Sequence, residues 1–319
     1  EDLLLNRGKQ SIVLNLRDAA DRGTLLDLAR DADVLIESYR PGVTTRLGID
    51  YDTIRAINPG IIYCSLSGFG QSGEEAQRAA YDLIFQAESG LLHALNANIT
   101  AVAGPQTYLT DATSGVMAAF AISAALQGRS GNDGAGRHID LSMQETVFSL
   151  LSVSHGTMRD GVAISGDEAA ARSQRAAFNI YGAGDGRAIA LTAISESSCK
   201  ALFRYFNRED LWQQGLVPGT EGREATAFLR QQFASQSAQF WVDALSALDI
   251  EIALVKTPTE AYDSPQLQGR NMILDTRDQA GQSLRQIGFP GTATGTRALE
   301  PAPEPGTHQT LLKKGLSNE

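Results

Sequence analysis

The sequence is poor in cysteine and histidine, and this scarcity excludes several kinds of site. Its 319 residues include 2 cysteines and 4 histidines. Cys64 and Cys199 are too few for a framework of disulfides, and no two histidines have a metal-binding spacing. We therefore expect neither a disulfide-stabilised fold nor a metal site.

Positive charge is also scarce. The sequence has 27 lysines and arginines but 37 aspartates and glutamates, which gives a net charge of -10. A surface that binds nucleic acid needs a basic face, so we expect no nucleic-acid partner. No stretch resembles a signal peptide or a membrane span. We accordingly expect a cytoplasmic protein without a membrane partner.

Short apolar runs alternate with helical patterns through the first half of the chain. The predicted elements are strands over 11–16, 33–37 and 61–66 and helices over 18–32, 43–47, 51–58 and 80–96. This alternation predicts right-handed βαβ units and a parallel sheet. Ligands of such sheets collect beyond the carboxyl ends of the strands, where the loops at Arg40 and Gly68 follow.

The pattern changes in the second half. A predicted strand pair over 179–191 turns at Gly184–Gly186 and is followed by helices over 197–206, 224–236 and 239–248. We therefore predict an α/β protein with a Rossmann-like parallel-sheet large domain and a smaller α+β domain. The predicted boundaries are 1–165 for the large domain, 166–177 for a linker, 178–270 for the small domain and 271–319 for a C-terminal segment that returns to the large domain.

The stretch from Tyr108 to Gln127 contains a candidate nucleophile. It has no proline and many alanines from 112 to 126, which predicts a helix with Thr110 or Asp111 at its N-cap. A helix N-terminus stabilises negative charge, so Asp111 would be an ionised carboxylate able to act as a nucleophile. Since Asp is a common N-cap, an ordinary capping role is the alternative, and the local sequence leaves both open.

A series of further motifs occurs in a fixed order. They are Asn6-Arg-Gly-Lys9, Asp33-Val-Leu-Ile-Glu37-Ser-Tyr-Arg40-Pro-Gly42, Leu47-Gly48, Asn58-Pro59, Tyr63-Cys-Ser-Leu-Ser-Gly68-Phe-Gly70-Gln-Ser-Gly73, Tyr81-Asp82, Asp111 with Gly115, and Gly136-Arg-His-Ile-Asp140-Leu-Ser142. Together they cover the first half of the chain almost without gaps. In order and spacing they resemble the family III CoA-transferases, which include formyl-CoA and carnitine CoA-transferases and are related to α-methylacyl-CoA racemases.

The resemblance implies an enzyme that moves CoA from an acyl-CoA thioester to a carboxylic acid. By this resemblance, Asp111 is the catalytic carboxylate that forms an acyl-aspartyl anhydride and then an aspartyl-CoA thioester, and Asp82 is a catalytic acidic residue close to it. No cofactor is tightly bound in such enzymes, and coenzyme A is the substrate and carrier. The partners implied are acyl-CoA, a small carboxylic acid and a second copy of the chain, interlocked as a homodimer.

The resemblance also implies a set of CoA-binding residues. They are Arg46, Arg40, Gly68, Phe69, Gly70 and Tyr81. Each arginine has an alternative role as a solvated surface charge, and the glycine loop has one as a plain turn. For Asp82 the alternative is a helix cap or a salt bridge.

Two departures from the family pattern leave other functions open. Family members usually carry some tens of residues before the counterpart of Glu1, so we expect the N-terminal part of the large domain to be absent from this chain. The family's Pro-x-Gly-Pro-Val segment is replaced by Glu251–Val255. A 2-methylacyl-CoA racemase or epimerase is one alternative, although Tyr81 stands where such relatives have histidine. A non-catalytic protein that binds CoA esters is another.

Overall fold

The computed structural model describes residues 5–95, 107–152, 158–159, 162–163, 175–278, 280–290 and 300–313. The chain divides into two compact units. One contains Glu1–Leu151 and Leu274–Glu319, and the other contains Ser152–Ile273. The predicted linker over 166–177 lies mostly outside the described residues.

Both units combine short strands with helices of varied length. The strands are β1 Val34–Glu37, β2 Ile62–Ser67, β3 Arg137–Ser142, β4 Met158–Arg159, β5 Val162–Ala163, β6 Phe178–Gly182, β7 Ala188–Thr192, β8 Ile252–Leu254, β9 Ile273–Arg277 and β10 Ser283–Ile287. The helices are α1 Ala19–Arg30, α2 Val43–Leu47, α3 Tyr51–Ile57, α4 Asp82–Glu88, α5 Leu91–Leu95, α6 Leu109–Arg129, α7 Met143–Ser149, α8 Glu196–Tyr205, α9 Trp212–Leu216, α10 Arg223–Phe233, α11 Ala238–Ser246, α12 Pro258–Tyr262 and α13 Pro265–Gly269. Short 3-10 turns cover Glu209–Leu211 and Gln309–Lys313.

A parallel sheet with strand order β1-β2-β3 forms the centre of the first unit. Successive side chains of a strand point to opposite faces. In β2, Tyr63 packs towards α1 and α3, whereas Ile62 and Cys64 pack towards α6. The predicted mixed α/β fold with a parallel sheet is confirmed.

Residues 11–16 do not form the predicted strand. The backbone nitrogen of Ser11 donates to Nδ1 of His308 at 3.0 Å, and that of Val13 donates to Oε1 of Gln309 at 2.9 Å. The backbone nitrogens of Ser11 and Val13 are thus satisfied by the C-terminal segment and not by a neighbouring strand. The prediction failed because an apolar run does not reveal which partner satisfies its backbone.

Helix α6 starts earlier than predicted. It begins at Leu109, so neither Thr110 nor Asp111 is its N-cap, and Tyr108 at the cap position makes no side-chain capping bond. The predicted helix over 80–96 is also divided, into α4 and α5. Gly90 between them has a φ of +78°, which interrupts helical geometry.

Length and composition make α6 a candidate membrane span, the only one among the described residues. By this criterion the expectation that no stretch resembles a span is wrong, because the alanine-rich run contains few charges. The core helices of soluble proteins meet the same criterion. One side of α6 is buried against other elements at Ser114, Ala118 and Ile122. The absence of a membrane partner stays a prediction.

The second unit has its own antiparallel sheet, with order β6-β7-β8. The predicted strand pair around Gly184–Gly186 is present as β6 and β7. Phe203, Phe233 and Trp241, from helices of this unit, are buried in its core. The third strand, β8, was not predicted, and it lies within the altered segment Glu251–Val255.

Candidate active site

A cavity of about 330 Å³ opens in the first unit at the carboxyl ends of the sheet strands. It is lined by Ser38, Tyr39, Arg40, Pro41, Leu66, Ser67, Gly68, Ala76, Arg78, Ala79, Ala80, Tyr81, Asp82, Phe85, Asp111 and Met143. The loops that follow β1 and β2 both contribute to it. Parallel strands end at the same edge of a sheet, so residues far apart in the sequence meet there.

Asp111 lies in the first turn of α6, is exposed and lines this cavity. The backbone N–H groups and the positive end of the helix dipole favour negative charge at this position. An exposed carboxylate at a helix start is a type of group that can act as a nucleophile.

Asp82 is buried beside the start of α6, with 7% of its surface exposed. Its Oδ1 atom accepts hydrogen bonds from the backbone nitrogens of Thr110 at 2.6 Å and Asp111 at 3.2 Å. Its Oδ2 atom accepts one from Nε2 of Gln86 at 2.5 Å. Asp82 therefore caps the helix that carries Asp111, and both of its carboxylate oxygens have protein donors.

Gln86 was not found from the sequence. It lies one turn after Asp82 on α4 and is 1% exposed. Residues four apart on a helix are neighbours, and a glutamine side chain in that position reaches an aspartate. This spacing was the available signal, but it carries no information about what the aspartate binds on its other side.

The residues of the predicted glycine loop have different surroundings. Gly68 lines the cavity, and a Cβ atom at this position would lie 2.7 Å from Cζ of Phe85. Phe69 is 8% exposed and packs edge-to-face on Phe85 with ring centroids 5.2 Å apart. Gly70 has a φ of +85°, a conformation that favours glycine. Packing and turn geometry account for these three residues, and their contact with CoA stays a prediction.

The predicted arginines occupy different places. Arg40 is exposed and lines the cavity. Arg46 does not line the cavity. It lies in the last turn of α2, and its Nη1 atom is close to Gly42 at the start of the same helix. The cavity also contains Arg78, which pairs with Glu75 and with Glu88, each at 2.9 Å. The positive charge of Arg78 is therefore matched by protein carboxylates.

Tyr81 lines the cavity next to Asp82 and is 86% exposed. It occupies the N-cap position of α4 without a side-chain capping bond. Among the residues that the structure describes, none of those lining the cavity is a histidine. The searched residues also contain no group of three or more His, Cys, Asp or Glu side chains suited to a metal ion.

Cys64 lies on β2 near the cavity but does not line it. Burial, with smaller contributions from the charges of Glu37 and Asp140, raises the pKa of its thiol to about 11. The thiolate is the nucleophilic form of cysteine, and little of it is present near neutral pH at such a pKa. Cys64 is therefore unsuited to be the nucleophile of this site.

Comparisons with known proteins identify the family of the chain. The sequence profile of the family described as CoA-transferase family III matches residues 3–309. The chain is 35% identical over 282 residues to an acetyl-CoA:oxalate CoA-transferase of Acetobacter aceti, covering 85% of this chain and 70% of that protein. It is 26% identical over 318 residues to a succinate–glutarate CoA-transferase of Agrobacterium fabrum, covering 96% and 78%.

A solved structure shows the same fold. The crystal structure of Rv3272 from M. tuberculosis matches with a TM-score of 0.79 and 26% sequence identity. The match covers 97% of this chain and 85% of that chain. The likeness therefore extends over both compact units.

Proposed function

The chain belongs to CoA-transferase family III, and from this premise we propose that it transfers CoA from an acyl-CoA thioester to a carboxylic acid, with Asp111 as the nucleophile. The observation that carries the proposal is the position of Asp111, at the start of a long helix and in the lining of the cavity. A helix start favours the anionic form that attacks, and the cavity gives an acyl group access to it.

The reaction proceeds in two symmetrical halves. An Asp111 oxygen attacks the thioester carbonyl, and the C–S bond breaks to give an acyl-aspartyl anhydride and CoA thiolate. The thiolate then attacks the aspartyl carbonyl, which releases the donor carboxylate and forms an aspartyl-CoA thioester. The acceptor carboxylate attacks that thioester, and CoA thiolate attacks the acceptor carbonyl of the resulting anhydride. The products are the acceptor thioester and Asp111 in its original form.

The other predicted site residues have supporting roles in this proposal. Arg46 and Arg40 bind the phosphates or the adenine of CoA, because a guanidinium forms charge-assisted hydrogen bonds to phosphate. Backbone N–H groups of the loop at Gly68 and Gly70 stabilise the developing oxyanion. Tyr81, exposed at the cavity, contacts the bound thioester.

The acceptor is a small carboxylic acid in this proposal. Relatives of the chain are named for oxalate and for glutarate, which are both dicarboxylates. These two acids are therefore the first acceptors to test, with acetyl-CoA and succinyl-CoA as donors. No tightly bound cofactor takes part, since the carboxylate and CoA supply the bonds that form and break.

We also propose that the protein is a cytoplasmic, interlocked homodimer. Helices α4, α6 and α7 pack against one another. Their outer sides expose large apolar residues, namely Leu83, Val116, Phe120 and Phe148. Extensive exposed apolar surface is typical of an interface, and a second copy of the chain would cover it.

The alternative of a 2-methylacyl-CoA racemase has less support. Racemisation at the α-carbon needs an acid and a base on opposite faces of that carbon. Tyr81 occupies the place of the histidine found in such relatives, and no described residue of the cavity lining is a histidine. As an acid or base in racemisation, Asp111 would therefore lack the histidine that is its usual partner in such relatives.

Trapping of the aspartyl intermediate tests the proposal. The protein is mixed with acyl-CoA and hydroxylamine, which converts an activated aspartyl group to a hydroxamate, and the peptides are analysed by mass spectrometry. We expect the mass shift on the peptide that contains Asp111 and its absence in Asp111→Asn. Asp52→Asn is the matched control, because Asp52 is also in the first turn of a helix. Labelling at another carboxylate, or full turnover in Asp111→Asn, would refute the proposal.

A further inference from the structure

Gln86 lies behind the residue that caps the helix of the proposed nucleophile. We infer that Gln86 is a positioning residue, which fixes the Asp82 carboxylate and thereby the first turn of α6 and the direction of Asp111. This inference rests on the proposed role of Asp111.

The contacts form a continuous path of hydrogen bonds. Nε2 of Gln86 donates to Oδ2 of Asp82 at 2.5 Å. Oδ1 of Asp82 accepts from the backbone nitrogens of Thr110 at 2.6 Å and Asp111 at 3.2 Å. Gln86, Asp82 and Thr110 are all buried. Hydrogen bonds in such surroundings are shielded from competing water.

The start of α6 depends on this path because its own cap is weak. Tyr108 at the N-cap position makes no side-chain capping bond. Asp82 supplies the missing acceptor, and its backbone oxygen also accepts from Oγ1 of Thr110 at 3.1 Å. The first turn of α6 is therefore attached to α4 at two points, through the backbone and the carboxylate of one residue.

Gln86 limits the rotation of the Asp82 carboxylate. With the glutamine amide present, both carboxylate oxygens have fixed donors, and their plane is defined. Without it, Oδ2 loses its described donor, and the carboxylate can turn away from the backbone nitrogens of α6. A misplacement of about 1 Å in a catalytic group can reduce a rate by about 100-fold. The contribution of Gln86 is therefore expected in the rate of the chemical step.

This geometry assigns Asp82 a positioning role as well. A carboxylate whose two oxygens already accept hydrogen bonds from three protein donors is poorly placed to attack a thioester or to accept a proton from a bound substrate. Asp82 therefore affects the reaction through the backbone of Asp111. The acidic residue predicted next to the nucleophile has a structural reason to be acidic, since a helix start requires an acceptor.

The first test removes the amide of Gln86 and keeps most of its volume. In Gln86→Leu we expect kcat to fall by about tenfold or more while KM for acyl-CoA stays within about twofold, as for a misplaced catalytic group. Hydrogen exchange at the amides of Thr110 and Asp111 should accelerate by about tenfold, because these amides lose a fixed acceptor. Exchange in the later turns of α6 should not change.

The second test uses pH as a rescue. In Gln86→Glu the introduced carboxyl can donate to Asp82 only when protonated, and when ionised it repels the Asp82 carboxylate. Burial and the neighbouring carboxylate raise the pKa of the introduced group, so its protonated form persists at mildly acidic pH. Turnover relative to the unmodified protein should therefore be highest at low pH and fall as the pH rises. Gln86→Leu should show a loss that does not depend on pH in this way.

Gln239→Glu is the matched control. Gln239 is exposed, and its Nε2 atom donates to Oδ1 of Asp243 at 2.8 Å, which is the same kind of pair four residues apart on a helix. Its substitution should leave turnover, its pH profile and the exchange of Thr110 and Asp111 unchanged. If it reproduces the effects of Gln86→Glu, the pH dependence is a general result of added charge and the inference is overturned.

The outcomes separate this inference from the proposed function. Unchanged exchange at Thr110 and Asp111 in Gln86→Leu, or unchanged kcat, overturns the positioning role. A loss in Gln86→Glu that is equal at every pH and accompanies a lower unfolding midpoint also overturns it. If the unmodified protein gives no adduct at Asp111, the proposed function fails. The exchange measurement needs no turnover, so it still decides whether Gln86 fixes the start of α6.

Discussion

The Oδ1 atom of Asp82 lies 3.2 Å from the backbone nitrogen of Asp111, a residue 29 positions later in the chain. The cap of the helix that presents the proposed nucleophile thus comes from a different helix. An N-terminal acceptor satisfies backbone donors that otherwise have no partner in the helix. Stability and reactivity at this site are therefore linked through one buried carboxylate.

Removal of this cap should destabilise the protein strongly. Asp82→Ala removes the acceptor of two backbone nitrogens and leaves the buried amide of Gln86 without its partner. Loss of a cap costs about 1 kcal/mol, and an unsatisfied buried donor costs about 1–3 kcal/mol. We expect the free energy of unfolding to fall by about 2–4 kcal/mol, measured by urea denaturation.

Asp50→Ala provides the comparison for this prediction. Asp50 caps α3 through a single bond, from the backbone nitrogen of Thr53. Its loss should cost only about 1 kcal/mol, the usual value for a cap. Equal effects of the two substitutions would mean that Asp82 is an ordinary cap.

Much of the sheet was predictable because its signals are local. The apolar runs of β1 and β2 each lie within a few residues, and so does the cap of α1, where Asp18 accepts from the backbone nitrogens of Ala20 and Asp21. The cap on α6 was not predictable, since its acceptor is distant in sequence. The predicted strand over 11–16 is wrong for the same reason, because hydrogen-bond partners of this segment lie near residue 308. Local patterns indicate elements, and long-range hydrogen bonds decide where those elements begin.

The site was predictable only in part. The family resemblance indicated Asp111 and Asp82, and the structure brings both into one cavity lining with Arg40 and Gly68. Arg46 is not part of that lining. Gln86 was missed because its role depends on the hydrogen bonds of Asp82 to the start of α6, and spacing in the sequence does not reveal those bonds. Their roles in catalysis and binding stay predictions.

Gly68 should not tolerate a side chain. A Cβ atom there would lie 2.7 Å from Cζ of Phe85, which is 3% exposed and has little room to move. Overpacking of this kind costs about 1–3 kcal/mol, so Gly68→Ala should lower the unfolding midpoint. Gly128→Ala is the control, since nothing lies within 4 Å of the added Cβ in α6. It should stabilise the helix by about 0.5–1 kcal/mol, and a similar gain at Gly68 would contradict the packing argument.

The two thiols should be inert in the folded protein. Burial raises the pKa of Cys199 to about 12, and burial with nearby carboxylates raises that of Cys64 to about 11. An aromatic disulfide reagent reacts with the thiolate, so at pH 8 we expect both groups to react slowly and in urea to react rapidly. The native rate should rise as the pH approaches 10. Rapid reaction of one thiol at pH 8 would show that its site opens to solvent.

The exposed apolar sides of α4, α6 and α7 should be covered by a second copy of the chain. Phe120 is 69% exposed and Val116 is 72% exposed on α6. Light scattering at micromolar concentration should give the mass of a dimer. Phe120→Asp should weaken association, because a charge in an apolar interface is costly. Gln127→Glu, an exposed polar change on the same helix, should not weaken it, and a monodisperse monomer of the unmodified chain would refute the prediction.

Arg46 should contribute to CoA affinity without contributing to the fold. It lies in the last turn of α2 and is exposed. A charge-assisted contact to phosphate contributes about 1.5–3 kcal/mol, so Arg46→Ala should weaken CoA binding about 10- to 150-fold in calorimetry. The loss should shrink as salt is added, because salt screens an exposed charge pair. Arg30→Ala is the control, since Arg30 also ends a helix and pairs with Asp27 at 3.4 Å on the surface. Equal CoA affinities for Arg46→Ala and Arg30→Ala would mean that Arg46 is a solvated surface charge. Arg40 would then be the next candidate for a phosphate contact.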